Sequence, residues 1–334
     1  MNTAIGLVAG LAFAALATPA AAQLAPGALP TLMDLRAVGA RPQASPAETL
    51  RYGEAPSQIV ELFLPKAAAE SAKLPVVVII HGGCWRKDVA GPGLMRAAAG
   101  AFLEKGYAVW SVGYRRIDEE GGGWPGTFQD VGAAIDLVRD HAVAHNLDTT
   151  RIVGYGHSAG GHLALWAAGR HKLPATSPMK VETPQKLRGV VSVGGLANIK
   201  QWERQIDAVC GDDAVALLTK SRAAPVPGVE GQPAEPASSA PDLKAGPALE
   251  DRAEQFADTN PAAMLPTGTP VILLHGIYDR ISPPAIGLAY AQEARKAGDR
   301  AEIQLAPNAG HFEVIAPGSR AFDQAIAAVE KLAR

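Results

Sequence analysis

Serine 158 lies in the run "GYGHSAGGHLALW" (154–166), with Gly156 and Gly160 two residues away on either side. The G-x-S-x-G spacing suits a serine at a sharp strand-to-helix turn, where side chains at those two positions would crowd the backbone. A serine hydroxyl is a poor nucleophile at neutral pH unless a neighbouring base takes its proton. The complementary groups occur later in the chain: Asp279 in "HGIYDRISPP" (275–284) and His311 in "APNAGHFEV" (306–314). Each follows an apolar run, and the order serine, acid, histidine is the one used on open α/β sheets. In that constellation His311 is the general base and Asp279 fixes its tautomer. The tetrahedral oxyanion formed by attack on a carbonyl needs preorganised donors. The amides of Ala159, at the start of a helix, and of Gly82 and Gly83 in "HGGCW" (81–85) are the candidates. His81 is read as holding that loop through hydrogen bonds rather than as a proton carrier.

Other polar residues near apolar runs carry less. Ser192 in "VVSVGG" (190–195) lacks a glycine two residues earlier and is rejected as a nucleophile. His157, His162 and His275 read as structural. Trp85, Trp124 and Trp202 are candidates for a pocket wall, although core packing is the commoner fate of such rings; Trp85 is the substrate-binding candidate. Asp130, Asp136 and Asp148 read as solvated helix and turn positions.

These residues need a scaffold that gathers them. The segments 58–65, 74–83, 107–115, 150–157, 187–195, 269–276 and 301–307 read as strands, and 74–83 is a continuous β-branched run ending in glycines, the expectation for a central strand buried on both faces. Helical spacing is expected over 93–105, 127–146, 159–169, 284–297 and 320–333. Strands alternating with helices predict an α/β fold: a mostly parallel central sheet of about eight strands with helices on both faces. On such a sheet ligands bind beyond the carboxyl ends of the strands, where Ser158, Asp279 and His311 are placed.

The chain has 334 residues, 48% hydrophobic and 19% charged, with a formal net charge of −2. This suits one large globular domain, and the absence of a basic excess disfavours nucleic acid and anionic membrane surfaces as partners. Residues 1–22 form an apolar run ending in Ala20-Ala21-Ala22, which reads as a signal peptide cleaved near Ala22, although no Lys or Arg precedes its core. Export to the periplasm or medium is therefore expected, without a membrane anchor after processing. Residues 23–50 read as an N-terminal arm and 51–334 as the catalytic domain. Within it, 199–258 breaks the alternation: a short helical piece containing Cys210 precedes a Pro/Ala/Ser-rich stretch expected to be a lid or a mobile loop. Cys84 and Cys210 are the two cysteines. They could pair in an oxidising compartment, but two free buried thiols are the expectation. Neither has metal-site spacing.

Over nearly all of residues 50–334 the chain resembles the α/β-hydrolase superfamily. "HGGCW" together with "GHSAGGHLA" is similar to the arylformamidases and the bifunctional feruloyl and acetyl xylan esterases, and "RYGEAPSQIVELFLP" (51–65) to their first strands. The resemblance implies hydrolysis of carboxylic esters with no metal or organic cofactor. By position it carries Ser158, Asp279 and His311 as the triad, Gly82, Gly83 and Ala159 as oxyanion donors, and Trp85 as the motif tryptophan. The chain departs from the H-G-G-G esterases at Cys84 and Trp85 and adds the Pro/Ala insertion. The expectation is an exported serine carboxylesterase acting on a small-molecule acyl or aryl ester. An arylformamidase-like amide hydrolase, or a peptidase on the same triad, is the alternative. A non-catalytic binding module is disfavoured because no triad member is missing.

Overall fold

Apolar runs with no polar face form strands only where both faces can be covered, and the computed structural model gathers them into a single sheet. Residues 30–66, 73–222, 249–250 and 255–334 are described; the expected leader and most of the Pro/Ala/Ser-rich stretch lie outside them. The elements belong to the compact unit Leu32–Arg334. The strands are β1 (Glu48–Arg51), β2 (Ile59–Phe63), β3 (Leu74–Ile80), β4 (Ala108–Val112), β5 (Leu147–His157), β6 (Gly189–Val193), β7 (Ser221–Arg222), β8 (Leu249–Glu250), β9 (Val271–Gly276) and β10 (Ala301–Ala306). The α-helices are α1 (Leu35–Gly39), α2 (Arg96–Glu104), α3 (Gly126–Asp136), α4 (Val138–His141), α5 (Ala159–Ala168), α6 (Glu203–Cys210), α7 (Ala214–Thr219), α8 (Pro284–Lys296) and α9 (Arg320–Ala333).

The main sheet runs β1-β2-β4-β3-β5-β6-β9-β10, while β7 and β8 form a separate antiparallel pair. β2 is antiparallel to both β1 and β4; every other pairing in the main sheet is parallel. This is the eight-stranded, mostly parallel α/β sheet expected from the sequence. β3 shows why its run is apolar throughout: Val76, Val78 and Ile80 enter the core on one face, and Val77 and Ile79 enter the core on the other. The first core packs under α3, α5 and α8 through Phe128, Leu163, Trp166 and Tyr290. The second packs under α2 and α9 through Phe102, Phe322 and Val329.

Local chemistry sets several boundaries. The helix expected from residue 93 opens as a 3-10 turn, Pro92–Met95, with proline in its first turn, and becomes α-helical at Arg96. α9 begins where the Ser319 hydroxyl accepts from the Phe322 amide at 3.0 Å. The stretch read as an arm contains α1, capped by Asp34, and the edge strand β1. Only Leu50 of β1 is buried, so its sequence carries little strand signal. Asp130 and Asp136, expected in solvent, are instead engaged in ion pairs. Asp130 is buried and takes the Arg115 guanidinium at 2.8 Å, and Asp136 takes Arg170 at 2.6 Å.

Candidate active site

β3, β5, β6, β9 and β10 are consecutive in the sheet, and each delivers one piece of the site at its carboxyl end. Ser158 follows β5 directly and caps α5 with φ 54° and ψ −118°. A non-glycine residue there costs about 1–3 kcal/mol, persisting only where surroundings over-determine it. The glycines around it explain the motif. A Cβ on Gly156 would lie 2.2 Å from the Gly160 carbonyl oxygen, and one on Gly160 would lie 2.0 Å from that of Ile80. Neither site can admit a side chain without moving backbone, so the turn is fixed by contact with the end of β3.

Asp279 follows β9 and His311 follows β10. The His311 ring nitrogen Nδ1 lies 2.8 Å from Asp279 Oδ2. The other carboxylate oxygen, Oδ1, accepts the amides of Ile281 at 2.9 Å and Ser282 at 2.7 Å. Both oxygens of the buried carboxylate are thereby committed. The loop that carries His311 is fastened at both ends: Glu313 Oε2 accepts the Gly310 amide at 2.8 Å, and the Tyr155 hydroxyl donates to the Val314 carbonyl at 2.7 Å. Between β9 and β5, at the end of β6, Gly194 has φ 53°, and a Cβ there would lie 3.1 Å from His311 Nδ1 and 3.2 Å from Asp279 Oδ2. This glycine leaves room for the pair. Its sequence signal is the "GG" that ends the run 187–195. Ser192 itself is fully buried, wedged against Gly161 and Gly195.

Gly82 and Gly83 follow β3. A Cβ on Gly82 would stand 2.7 Å from His157 Nδ1 and 3.1 Å from Ser158 Cβ, which places this loop against the serine turn. Gly83, Cys84 and Trp85 have φ of 109°, 53° and 55° in succession. Among the described residues, no backbone acceptor takes the amides of Gly82, Gly83 or Ala159. His81 Nδ1 lies 2.7 Å from the Gly82 carbonyl, its ring stacks on Tyr114 at 4.4 Å, and the Tyr114 hydroxyl donates to the His81 carbonyl. Burial holds the His81 ring at a pKa of about 4, so it is neutral at pH 7. His157 bonds the His311 carbonyl through Nε2 at 3.0 Å; burial, then the neighbouring His311, hold its pKa well below the usual histidine value. His162 and His275 bond the carbonyls of Thr259 and Ser282.

Ser158, His157, His311, Gly83 and Cys84 line one cleft of about 310 Å3, together with Leu35, Arg86, Val89, Leu94, Val209, Ile281 and Phe312. A larger groove of about 930 Å3, lined by Arg188, Arg295, Arg300 and Lys331, lies at the opposite ends of β9 and β10 and contains none of the candidate residues. Two sequence expectations are corrected here. Trp85 does not wall the cleft: it is fully buried, edge-on to His162 at 5.4 Å in the core. Trp124 and Trp202 are likewise absent from the cleft lining and pack against the core. The cysteines are not free thiols, since Cys84 and Cys210 form a disulfide with Cα atoms 5.2 Å apart. Their separation of 126 residues gave the sequence no handle on that distance.

Comparisons with known proteins agree with this architecture. The model of the BD-FAE family matches residues 60–291, more than half of the chain. A probable isoprenylcysteine alpha-carbonyl methylesterase of Arabidopsis thaliana is 30% identical over 114 residues, which cover 34% of this chain. A non-reducing polyketide synthase, atr1, of Stereocaulon alpinum is 33% identical over 116 residues, and the matched segments make up only 5% of its length and 22% of the methylesterase's. Among solved structures, a truncated carbohydrate esterase from gut microbiota superposes with a TM-score of 0.65 at 20% identity, covering 88% of this chain and 99% of its own. A propionate-bound esterase, Est2, of Thermogutta terrifontis gives 0.58 at 19% identity over 85% and 92%. At such identities the superpositions speak for the fold.

Proposed function

Because the chain belongs to the BD-FAE family of α/β-hydrolase esterases, we propose that it is a serine carboxylesterase that cleaves small acyl or aryl esters through an acyl-enzyme on Ser158. The observation that carries this reading is the 2.8 Å contact of His311 Nδ1 with a fully committed Asp279 carboxylate, in the loop beside the strained Ser158 turn. Nδ1 keeps its proton against the carboxylate, so the Nε2 lone pair is the base. Ser158 Oγ attacks the ester carbonyl carbon as its proton passes to Nε2, and the carbonyl π electrons move onto oxygen. The amides of Gly82, Gly83 and Ala159 receive that oxyanion, each aligned donor contributing about 2.7–4 kcal/mol of transition-state stabilisation. Collapse of the intermediate breaks the ester C–O bond, and Nε2–H gives its proton to the departing alkoxide. Water then attacks the acyl-Ser158 with His311 as base, releasing the acid and restoring the hydroxyl.

The cleft of about 310 Å3 stands at the small end of ligand sites and is walled mainly by apolar side chains, which supports short or compact acyl groups. Propionate bound to the Thermogutta esterase is consistent with that size class. Export is part of the proposal: the signal-like run at residues 1–22 and a disulfide between Cys84 and Cys210 both suit an oxidising compartment. The test is a panel of p-nitrophenyl acetate, butyrate and octanoate and N-formylkynurenine offered to purified protein, alongside Ser158→Ala. Esters are expected to dominate kcat/KM, and Ser158→Ala to lose at least three orders of magnitude in kcat while staying folded. Deformylation a hundredfold faster than ester cleavage would move the assignment to an amide hydrolase on the same residues.

A further inference from the structure

The oxyanion loop and one wall of the cleft are covalently joined. Cys84 follows Gly83 in the loop after β3, and Cys210 ends α6, in the segment that interrupts the strand–helix alternation. Both cysteines line the cleft, and so do the neighbours Gly83, Val209 and Gly211. Two kinds of restraint hold the loop in its left-handed conformation. Local ones are the Arg86 amide bonded to the Gly83 carbonyl at 2.8 Å, the Ile117 amide bonded to the Trp85 carbonyl at 2.8 Å, and the buried Trp85 indole. The disulfide is the restraint at Cys84 itself, and it reaches an element 126 residues away. α6 in turn has a thin hold on the core: of its side chains only Ile206 and Cys210 are buried, and Val209 is 43% exposed at the cleft rim.

We propose that the Cys84–Cys210 disulfide is a positioning and specificity element of the active site, holding the Gly82–Gly83 amides at the oxyanion and the Val209–Gly211 turn as the apolar wall for the acyl or aryl group. The inference rests on the esterase reading above and on those glycines as oxyanion donors. Breaking the bond frees Cys84 to leave its left-handed backbone conformation, which rotates the adjacent Gly83 amide. A displacement of about 1 Å in such a group is enough to cost roughly a hundredfold in rate. It also releases the α6 turn, so longer acyl groups lose a wall that short ones barely touch.

The experiment compares wild type, Cys84→Ser/Cys210→Ser, and wild type treated with dithiothreitol. In the last, two electrons and two protons pass from the dithiol to the protein, giving two thiols and the cyclic disulfide of the reagent. For each, kcat and KM are measured on p-nitrophenyl acetate and butyrate, with inhibition constants for a trifluoromethyl ketone and for butyrate as a ground-state ligand. Circular dichroism reports the folded fraction, and reoxidation of the reduced wild type serves if the double variant does not fold. Loss of the bond is expected to lower kcat on acetate about tenfold to a hundredfold and to raise the ketone inhibition constant by the same factor. KM is expected to rise more on butyrate than on acetate, with reoxidation restoring both. A merely structural bond would change the folded fraction but leave ketone affinity per folded molecule unchanged, and that result overturns the proposal. Activity of the bond-free enzyme within twofold of wild type overturns it too. Ser158→Ala, run in parallel, separates the two levels: if it retains activity the esterase reading fails, whereas if it is inactive and the bond-free enzyme is normal, only the inference fails.

Discussion

Replacing Asp279 by asparagine changes one atom of the site and leaves its shape, so its consequence can be worked from the hydrogen bonds. Oδ1 accepts two backbone amides, from Ile281 at 2.9 Å and Ser282 at 2.7 Å, and Oδ2 faces His311 Nδ1 at 2.8 Å. An asparagine has two placements. With its oxygen toward the amides, its NH2 group faces Nδ1, which must then act as acceptor; the imidazole proton moves to Nε2 and the serine has no base. In the flipped placement the NH2 group meets two N–H donors that lose their acceptor inside the protein, at a cost of about 1–3 kcal/mol each. The wrong tautomer is therefore favoured by about 2–6 kcal/mol, roughly 30-fold or more, before the lost stabilisation of the imidazolium is counted. With that loss included, kcat on p-nitrophenyl acetate should fall about 10³–10⁴-fold, the scale known for the same exchange in a serine-protease triad. The near-isosteric change should leave the circular dichroism spectrum unchanged and the melting temperature within a few degrees. A folded Asp279→Asn enzyme keeping more than a tenth of wild-type kcat would show that this carboxylate does not set the histidine tautomer, and the reasoning would fail.

The structure carries further expectations. Asp130 holds the Arg115 guanidinium by two 2.8 Å contacts and accepts from Gln58 at 2.8 Å, so Asp130→Ala strands a partly buried cation and should destabilise by about 3–5 kcal/mol in urea unfolding; a change below 1 kcal/mol would place the pair among ordinary surface bridges. Acid should destabilise the fold before the carboxylates titrate. His81 and His162 are buried with pKa values of about 4, lowered chiefly by burial, against about 6.5 in the unfolded chain, so between those values the unfolded state binds the extra protons. Stability is full above pH 6.5 and is lost as pH falls toward 4, by up to about 2.7 kcal/mol per unit from these two groups. Urea midpoints at pH 7.5, 6 and 5 should drop in that order, and a flat series would contradict the burial of neutral rings.

Much of this site was legible because its chemistry coincides with strand ends. Ser158 and Asp279 each follow a strand whose final residues are all buried, β5 and β9, which is easily read from sequence, and His311 follows the edge strand β10. The glycines beside Ser158 were legible as a spacing, though not the contacts that demand them: Gly160 faces Ile80, on a strand 80 residues earlier. What escaped depends on long-range geometry. Trp85 has the same composition signal whether it walls a cleft or fills a core, and its burial edge-on to His162, a residue 77 positions later, is a long-range contact with no local signal. The disulfide escaped because no local pattern fixes the distance between residues 84 and 210. β1 escaped because an exposed edge strand buries one residue and needs no apolar alternation. Asp130 and Asp136 were placed in solvent because a helical carboxylate usually is; their partners, Arg115 and Arg170, come from other elements.

The central claim is a covalent one, that the acyl group of the substrate passes through the Ser158 oxygen. It is tested by quenching the enzyme in acid during the first turnovers of p-nitrophenyl acetate and locating the acetyl group by peptide mass spectrometry. One acetyl per chain on the peptide bearing Ser158, absent from Ser158→Ala, with a matching burst of nitrophenol, is the expected result. Acetylation of a different residue at the turnover-competent rate, or full hydrolysis by Ser158→Ala, would contradict it.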